Sequence, residues 1–306
     1  MLKRLPGVVL LALMGALWFF FLSLPWPVLL PFRNPRETSF MDQRVAQARA
    51  RGQSLRLRHT WRPFKEISPN LRRAVLVAED ARFYEHNGID WLALRQEMRY
   101  RGDDNFSWFD IGDLRALAGS LSYYRSHRDR IRGRSTLTQQ LAKNLYFNES
   151  RSVTRKIGEY VVARRIEWFL SKDRILEVYL NVVEWGPGIF GAEAAARYYF
   201  GKSARSLSAD QAAALAATLP HPLTSNPRLR PGRMAWRKQI ILSRMGGQGP
   251  VRSVPLDDVL RKDSGATLPT DVLPRPKTQA DSLRGDTLPE PDTVVTARSM
   301  AISSAY

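Results

Sequence analysis

The longest apolar run in the chain covers residues 5–32, 28 positions without a charge behind Lys3 and Arg4. A membrane-spanning helix needs about 20 such residues, so this run is long enough to cross a bilayer, with the Trp18-Phe19-Phe20-Phe21 cluster as an interfacial belt. A cleaved signal peptide would show an apolar stretch of about 7 to 15 residues and a small-residue cleavage site. Neither feature is found here, and the run reads as an uncleaved anchor with a short tail inside. Residues 34–62 are polar and Arg-rich and read as a stalk near lipid headgroups. From Ile67 to Met245 apolar positions recur at helical spacing, with breaks at Ser68-Pro69, Asn87-Gly88, Gly186-Pro187-Gly188, His221-Pro222 and Pro231-Gly232. The spacing predicts helices over residues 71–84, 137–146, 153–170, 172–182, 191–199 and 209–217. No strand-rich stretch competes, so a mainly α core is expected. Beyond Gly247 the period is lost; that stretch holds seven of the 19 prolines and reads as a disordered tail. The expected division is 1–33 cytoplasmic stub and transmembrane anchor, 34–66 juxtamembrane stalk, 67–246 catalytic domain and 247–306 tail.

Charge sharpens this picture. The 306 residues carry 47 Lys and Arg against 29 Asp and Glu, a net +18, whereas the tail holds 7 basic and 8 acidic residues. The excess therefore lies wholly in the folded part, which favours anionic partners: phospholipid headgroups, pyrophosphates or nucleic acid. Charge alone does not choose among them. The absence of Cys excludes disulfides, thiolate metal sites and a cysteine nucleophile.

Four segments concentrate candidate chemistry. Glu79 and Asp80 close an apolar-periodic helix and lead into Phe83, His86 and Gly88; apolar walls there would raise a carboxylate's pKa and make it a usable base. Salt bridges to nearby arginines explain an acidic pair equally well, and His86 alone is more often structural. Gly133-Arg134-Ser135-Thr136-Leu137-Thr138-Gln139-Gln140 is a turn entering a capped helix, and Thr136 with Gln139 matches a capping box without any chemistry. One of the two adjacent glutamines should point inward and need partners. Arg155, Lys156 and Glu159 share a helix face. They form either a surface ion pair or a pair of cations around a carboxylate suited to a pyrophosphate. Glu177 and Asn181, one turn apart, read as a buried polar pair at least as readily as a catalytic one.

Together and in this order, the segments resemble the peptidoglycan glycosyltransferase family (glycosyltransferase family 51), the polymerase module of class A penicillin-binding proteins and its monofunctional relatives. The resemblance covers residues 67–245. It rests on Glu79-Asp80-x-x-Phe83-x-x-His86-x-Gly88, on Gly133-x-Ser135-Thr136-x-Thr138-Gln139-Gln140 continuing through Lys143-Asn144, and on Arg155-Lys156-x-x-Glu159. Lys172-x-x-Ile175-Leu176-Glu177-x-Tyr179-Leu180-Asn181 and Gly188-Ile189-Phe190-Gly191 complete it, with the basic helix over residues 237–245. The resemblance implies a mainly α, lysozyme-like, two-lobed domain on the outer face of the inner membrane, following one N-terminal transmembrane helix. It implies that Glu79 is the general base, deprotonating the 4-hydroxyl of lipid II. That hydroxyl attacks the anomeric carbon of a growing glycan linked to undecaprenyl pyrophosphate, with inversion in a single displacement. Lys143, Arg155 and Lys156 would hold the donor phosphates. Glu159 would be the second carboxylate, acting directly or through a divalent cation such as Mg2+ or Mn2+. Asp80, Phe83, His86, Ser135, Thr136, Gln139, Gln140 and Asn144 would belong to the substrate site. No organic cofactor and no nucleic acid are implied.

Three features depart from the family pattern. Arg134 replaces a small residue; the segment over residues 91–132 is longer by about twenty positions; and the tail has no counterpart. In the long segment, Phe106, Trp108, Phe109, Leu114, Leu117 and Leu121 suit either insertion into the outer leaflet or packing on the domain. A lysozyme-like lytic enzyme would not need the cation cluster, and a basic scaffold without catalysis would leave the ordered motifs unexplained. No Ser-x-x-Lys or Lys-Thr-Gly is present, so peptide cross-linking is expected from partner transpeptidases, alongside division or elongation proteins.

Overall fold

Seven helices begin on a side chain that caps them. Thr38, Ser68, Asp90, Thr136, Ser152, Ser171 and Ser208 each accept a hydrogen bond from a backbone N–H of the first turn, satisfying donors that the helix itself leaves open. The computed structural model describes residues 5–102, 107, 110–126, 135–149 and 152–246. Among these residues the chain is mainly α, as the apolar spacing predicts. The helices are α1 (Leu5–Ser23), α2 (Ser39–Ala50), α3 (Pro69–Glu79), α4 (Trp91–Glu97), α5 (Ile111–Ser126), α6 (Leu137–Tyr146), α7 (Val153–Phe169), α8 (Lys172–Val182), α9 (Ala192–Phe200), α10 (Ala209–Thr218) and α11 (Gly232–Met245). The tail and Arg134, together with Phe106, Trp108 and Phe109, lie outside the described residues.

The core forms where apolar stripes meet. Ala212, Ala213, Ala214, Ala216 and Ala217 line α10, and their small side chains admit α3 and α11. On the other side of the core α6 packs between α7 and α8 through Leu141, Val162, Ile166, Leu176 and Tyr179, all fully buried. The helix predicted over 71–84 stops at Glu79, because Asp80 turns out of helical geometry (φ −158°, ψ 76°). Phe83 and Tyr84 therefore lie in turns.

Residues 34–66 are not a detached stalk. α2 packs on α6 with Phe40 and Met41 buried, and β1 (Arg58–His59) joins a sheet that the sequence did not suggest. β1 runs parallel to β3 (Ile189–Phe190), which pairs antiparallel with β2 (Glu184–Gly186). Strands of two or three residues are too short to display an alternating pattern. Asn181 fastens this edge, its side chain bonding to both N and O of Arg62 at 2.8 Å.

The 28-residue uncharged run yields only 19 helical residues, α1, because Pro25 and Pro27 follow Ser23 and cannot continue a helix. Among the described residues no helix is long and apolar enough to cross a membrane; α1 carries no charge. Its end is fastened to the domain. Arg165 of α7, itself buried, donates to the carbonyls of Phe21, Leu24 and Pro25 and stacks on Trp26 at 3.8 Å. Arg174 of α8 binds the carbonyls of Leu30 and Arg33.

Gly191 shows where the backbone tolerates no side chain. It sits at φ 81°, ψ 154°, a region open only to glycine, and a Cβ there would stand 2.6 Å from the Asn181 carbonyl oxygen. Gly191→Ala should destabilise the full chain by about 3 kcal/mol or more, measured as denaturant unfolding; a change below about 1 kcal/mol would show that this junction relaxes freely.

Candidate active site

Two short stretches carry most of the cleft, and buried bonds lock them together. Asp80, one residue beyond α3, accepts from the Leu137 N–H at 2.9 Å with one carboxylate oxygen and from His86 Nε2 at 2.9 Å with the other. The Gly88 carbonyl accepts from Thr136 Oγ1 at 2.6 Å and from Gln139 Nε2 at 3.1 Å. Asp80, His86 and Thr136 are thus buried fasteners, and Phe83 is wholly buried core beneath Lys172, whose Nζ lies 4.5 Å from its ring centroid. These four expected substrate contacts hold the walls of the site and do not line it.

The fasteners place Glu79 at the end of α3 opposite the first turns of α6. Its surroundings are polar, not the apolar walls expected from the helix pattern. One carboxylate oxygen accepts from Arg237 of α11 at 2.7 Å, the other from Gln140 Nε2 at 3.0 Å. The orientation of the Gln140 amide is set from behind: Tyr179 donates to its Oε1 at 2.9 Å, and full burial holds the Tyr179 hydroxyl far above the ordinary phenol pKa, so it stays a donor. Tyr179, Gln140, Glu79 and Arg237 form one chain of bonds. Each Glu79 oxygen keeps a second acceptor direction.

The cleft that Glu79 lines has a volume of about 530 Å³ and is also bordered by Ser135, Gln139, Gln140, Lys143, Asn144 and Glu159. Glu159 is buried, with one oxygen on Arg155 and the other 3.1 Å from Lys156 Nζ, which donates onward to Ser135 Oγ at 2.8 Å. Of the three charges predicted to share a helix face, Glu159 borders the cleft and pairs with the other two. Burial, with Arg155 and Lys143 nearby, pulls the Lys156 pKa down to about 8; burial also lowers that of Lys143. A divalent ion fits this arrangement poorly. Both Glu159 oxygens are taken by cations, and among the described residues no three His, Asp or Glu side chains cluster as a metal site would require. No step below runs through an ion.

Sequence reading missed Arg44, Glu149 and Glu184, all of which border the cleft. Nor did it connect Arg237 with Glu79. Their partners stand more than a hundred residues away, and no local spacing signals such pairs.

A family model described as Transglycosylase matches residues 46–246, two thirds of the chain and all the cleft motifs. The chain belongs to the transglycosylase family. Among its relatives, proteins named biosynthetic peptidoglycan transglycosylase are 42% identical in Herminiimonas arsenicoxydans, 41% in Bordetella pertussis and 41% in Thiobacillus denitrificans. The alignments cover 78%, 78% and 80% of this chain and 91%, 89% and 94% of the relatives. The transglycosylase match starts inside α2, so the family domain includes most of the segment read from sequence as a stalk.

Lys156 supplies a pH test. It is charged below about pH 8 and loses its charge as pH rises through that value. If it holds an anionic substrate, kcat/KM for transglycosylation falls along an alkaline limb near 8, since kcat/KM reports the free enzyme. Lys156→Arg, charged throughout, should move that limb upward by at least about one pH unit; identical limbs in the two proteins would remove Lys156 from the chemistry.

Proposed function

We propose that this chain polymerises peptidoglycan glycan strands, transferring the growing glycan from undecaprenyl pyrophosphate to the 4-hydroxyl of lipid II with inversion. The observation that carries this reading is one cleft lined by a carboxylate, Glu79, by the cation Lys143 and by Glu159, which pairs with Arg155 and Lys156, in a chain of the transglycosylase family.

The chemistry follows from that separation of charge. A sugar hydroxyl becomes a nucleophile when a carboxylate takes its proton, and Glu79 is held for this by Arg237 and Gln140 with acceptor directions to spare. As the anomeric bond breaks, negative charge collects on the departing pyrophosphate, where Lys143, Arg155 and Lys156 stabilise it. Glu159 keeps Arg155 and Lys156 together and aimed, acting through them. A lytic enzyme attacks with water and releases a neutral sugar hydroxyl; it has no use for three cations at the leaving group, and the cluster favours transfer.

The same reading assigns the uncharged run to the inner membrane as a single-pass anchor, with the cleft on the periplasmic side. It is supported by the exposed apolar side chains along α1, and by Trp91, Leu92, Ile111, Leu114 and Leu121 exposed on α4 and α5. These last suit a membrane-facing lobe of a lysozyme-like domain. Transpeptidases and division or elongation proteins are its expected partners.

Glu79→Gln keeps the side-chain shape and one oxygen to accept from Arg237, loses the acceptor that faces Gln140, and removes the base. Polymerisation of labelled lipid II, resolved by product length on a gel, should fall by about a hundredfold or more while lipid II binding persists. Polymer made by the variant at the wild-type rate would end the assignment of Glu79; well-folded wild type that makes none would end the function.

A further inference from the structure

Arg44 is the cleft cation that the family chemistry does not use, and it lies outside the residues matching the family model. Its Nε donates to both oxygens of Glu184 at 3.0 and 2.9 Å, and the Glu184 side chain is only 2% exposed. Burial opposes the Arg44 charge, yet its bonds to Glu184 and the attraction of that carboxylate outweigh the cost, and its pKa lies above the ordinary arginine value. The guanidinium is therefore permanently charged and fixed in direction. Its other edge faces the carboxylate of Glu149, with Nη1 and Nη2 at 3.2 and 3.0 Å from the two oxygens.

The two acidic partners differ in kind. Glu184 is sealed in the fold, whereas Glu149 is 40% exposed, three residues beyond α6. Its further contacts are to neutral groups, Gln47 Nε2 at 3.3 Å and, through its backbone N–H, Gln43 Oε1 at 3.2 Å. Beside it stands Lys143, which forms no ion pair among the described residues and shares with Arg44 the ring of Phe40, at 5.2 and 4.9 Å from the centroid. A buried carboxylate thus orients a guanidinium whose open edge matches a two-oxygen anion. A second cation stands close by, and the position between is taken by an exposed side chain that a free anion can replace.

We propose that Arg44 extends the cation set of the cleft beyond Lys143, the two forming an oxyanion subsite that Glu149 occupies as an internal stand-in which an anionic group of the substrate displaces. The inference rests on the reading of the cleft as the site of a lipid-linked, pyrophosphate-bearing substrate. That substrate offers two oxyanions, the pyrophosphate of the carrier and the carboxylates of the stem peptide, and Glu149 competes with whichever binds here.

Equilibrium binding to the full chain tests this without turnover, so its result is independent of Glu79 and of polymerisation. Inorganic pyrophosphate and a soluble stem pentapeptide are titrated separately by calorimetry at fixed salt against wild type, Glu149→Gln and the double variant Arg44→Gln/Glu184→Gln, which strands no buried charge. Glu149→Gln should bind the displacing anion about two- to fivefold more tightly, the scale of one partly exposed ion pair, and the double variant more weakly than wild type by a similar factor. Tightening for pyrophosphate assigns the subsite to the carrier, and tightening for the pentapeptide assigns it to the stem peptide. Unchanged affinity of Glu149→Gln for both anions overturns the proposal, and because Glu149 is exposed that outcome does not hinge on the folding of the double variant.

Discussion

The cleft depends on one buried carboxylate, that of Asp80. By accepting from the first N–H of α6 with one oxygen and from His86 with the other, it ties the end of α3 to the beginning of α6. α3 delivers Glu79 and α6 delivers Gln139, Gln140, Lys143 and Asn144, so this junction fixes the distance between Glu79 and the wall that faces it. A helix N-terminus is a favourable place for negative charge, and Asp80 thereby offsets part of its own burial. Thr136 and Gln139, closing on the Gly88 carbonyl, make the same junction from the other side. A residue next to Glu79 in sequence thus acts through geometry and does not line the cleft.

Around that junction the structure balances charge group by group. Glu159 sits between Arg155 and Lys156, Glu79 between Arg237 and Gln140, and Glu184 against Arg44. Buried charges survive only when paired, and here each carboxylate also aims the cation or cations it holds. Lys143 is an exception among the described residues that line the cleft. Its charge is held in the cleft against burial without a carboxylate within ion-pairing reach, which is how a site stays ready for an anion that is not part of the protein.

How much of this was legible in the sequence follows from the range of each interaction. The bounds of α6 and α8 are those the spacing predicts, because Thr136 and Ser171 cap them and their apolar positions repeat within one helix. The order of the motifs carrying Glu79, Gln140, Lys143 and Glu159 was likewise readable, and they do share one cleft. The roles of Asp80, Phe83, His86 and Thr136 were not, since a motif reports that residues occur together without saying which face the solvent. The pairs Arg44 with Glu184 and Arg237 with Glu79 join positions 140 and 158 residues apart; only the packing of α2 on α6 and of α11 on α3 brings them within reach.

The grip of Arg165 and Arg174 on the residues that follow α1 makes that connection a bracket and not a tether. A flexible linker would let the domain swivel independently of the helix and sample many heights and tilts. With the carbonyls of Phe21, Leu24, Pro25, Leu30 and Arg33 all held, any roll or tilt of α1 is transmitted to the cleft as a lever arm transmits rotation. The direction in which a product leaves the cleft is then set by the attitude of α1 and does not average over a swinging joint.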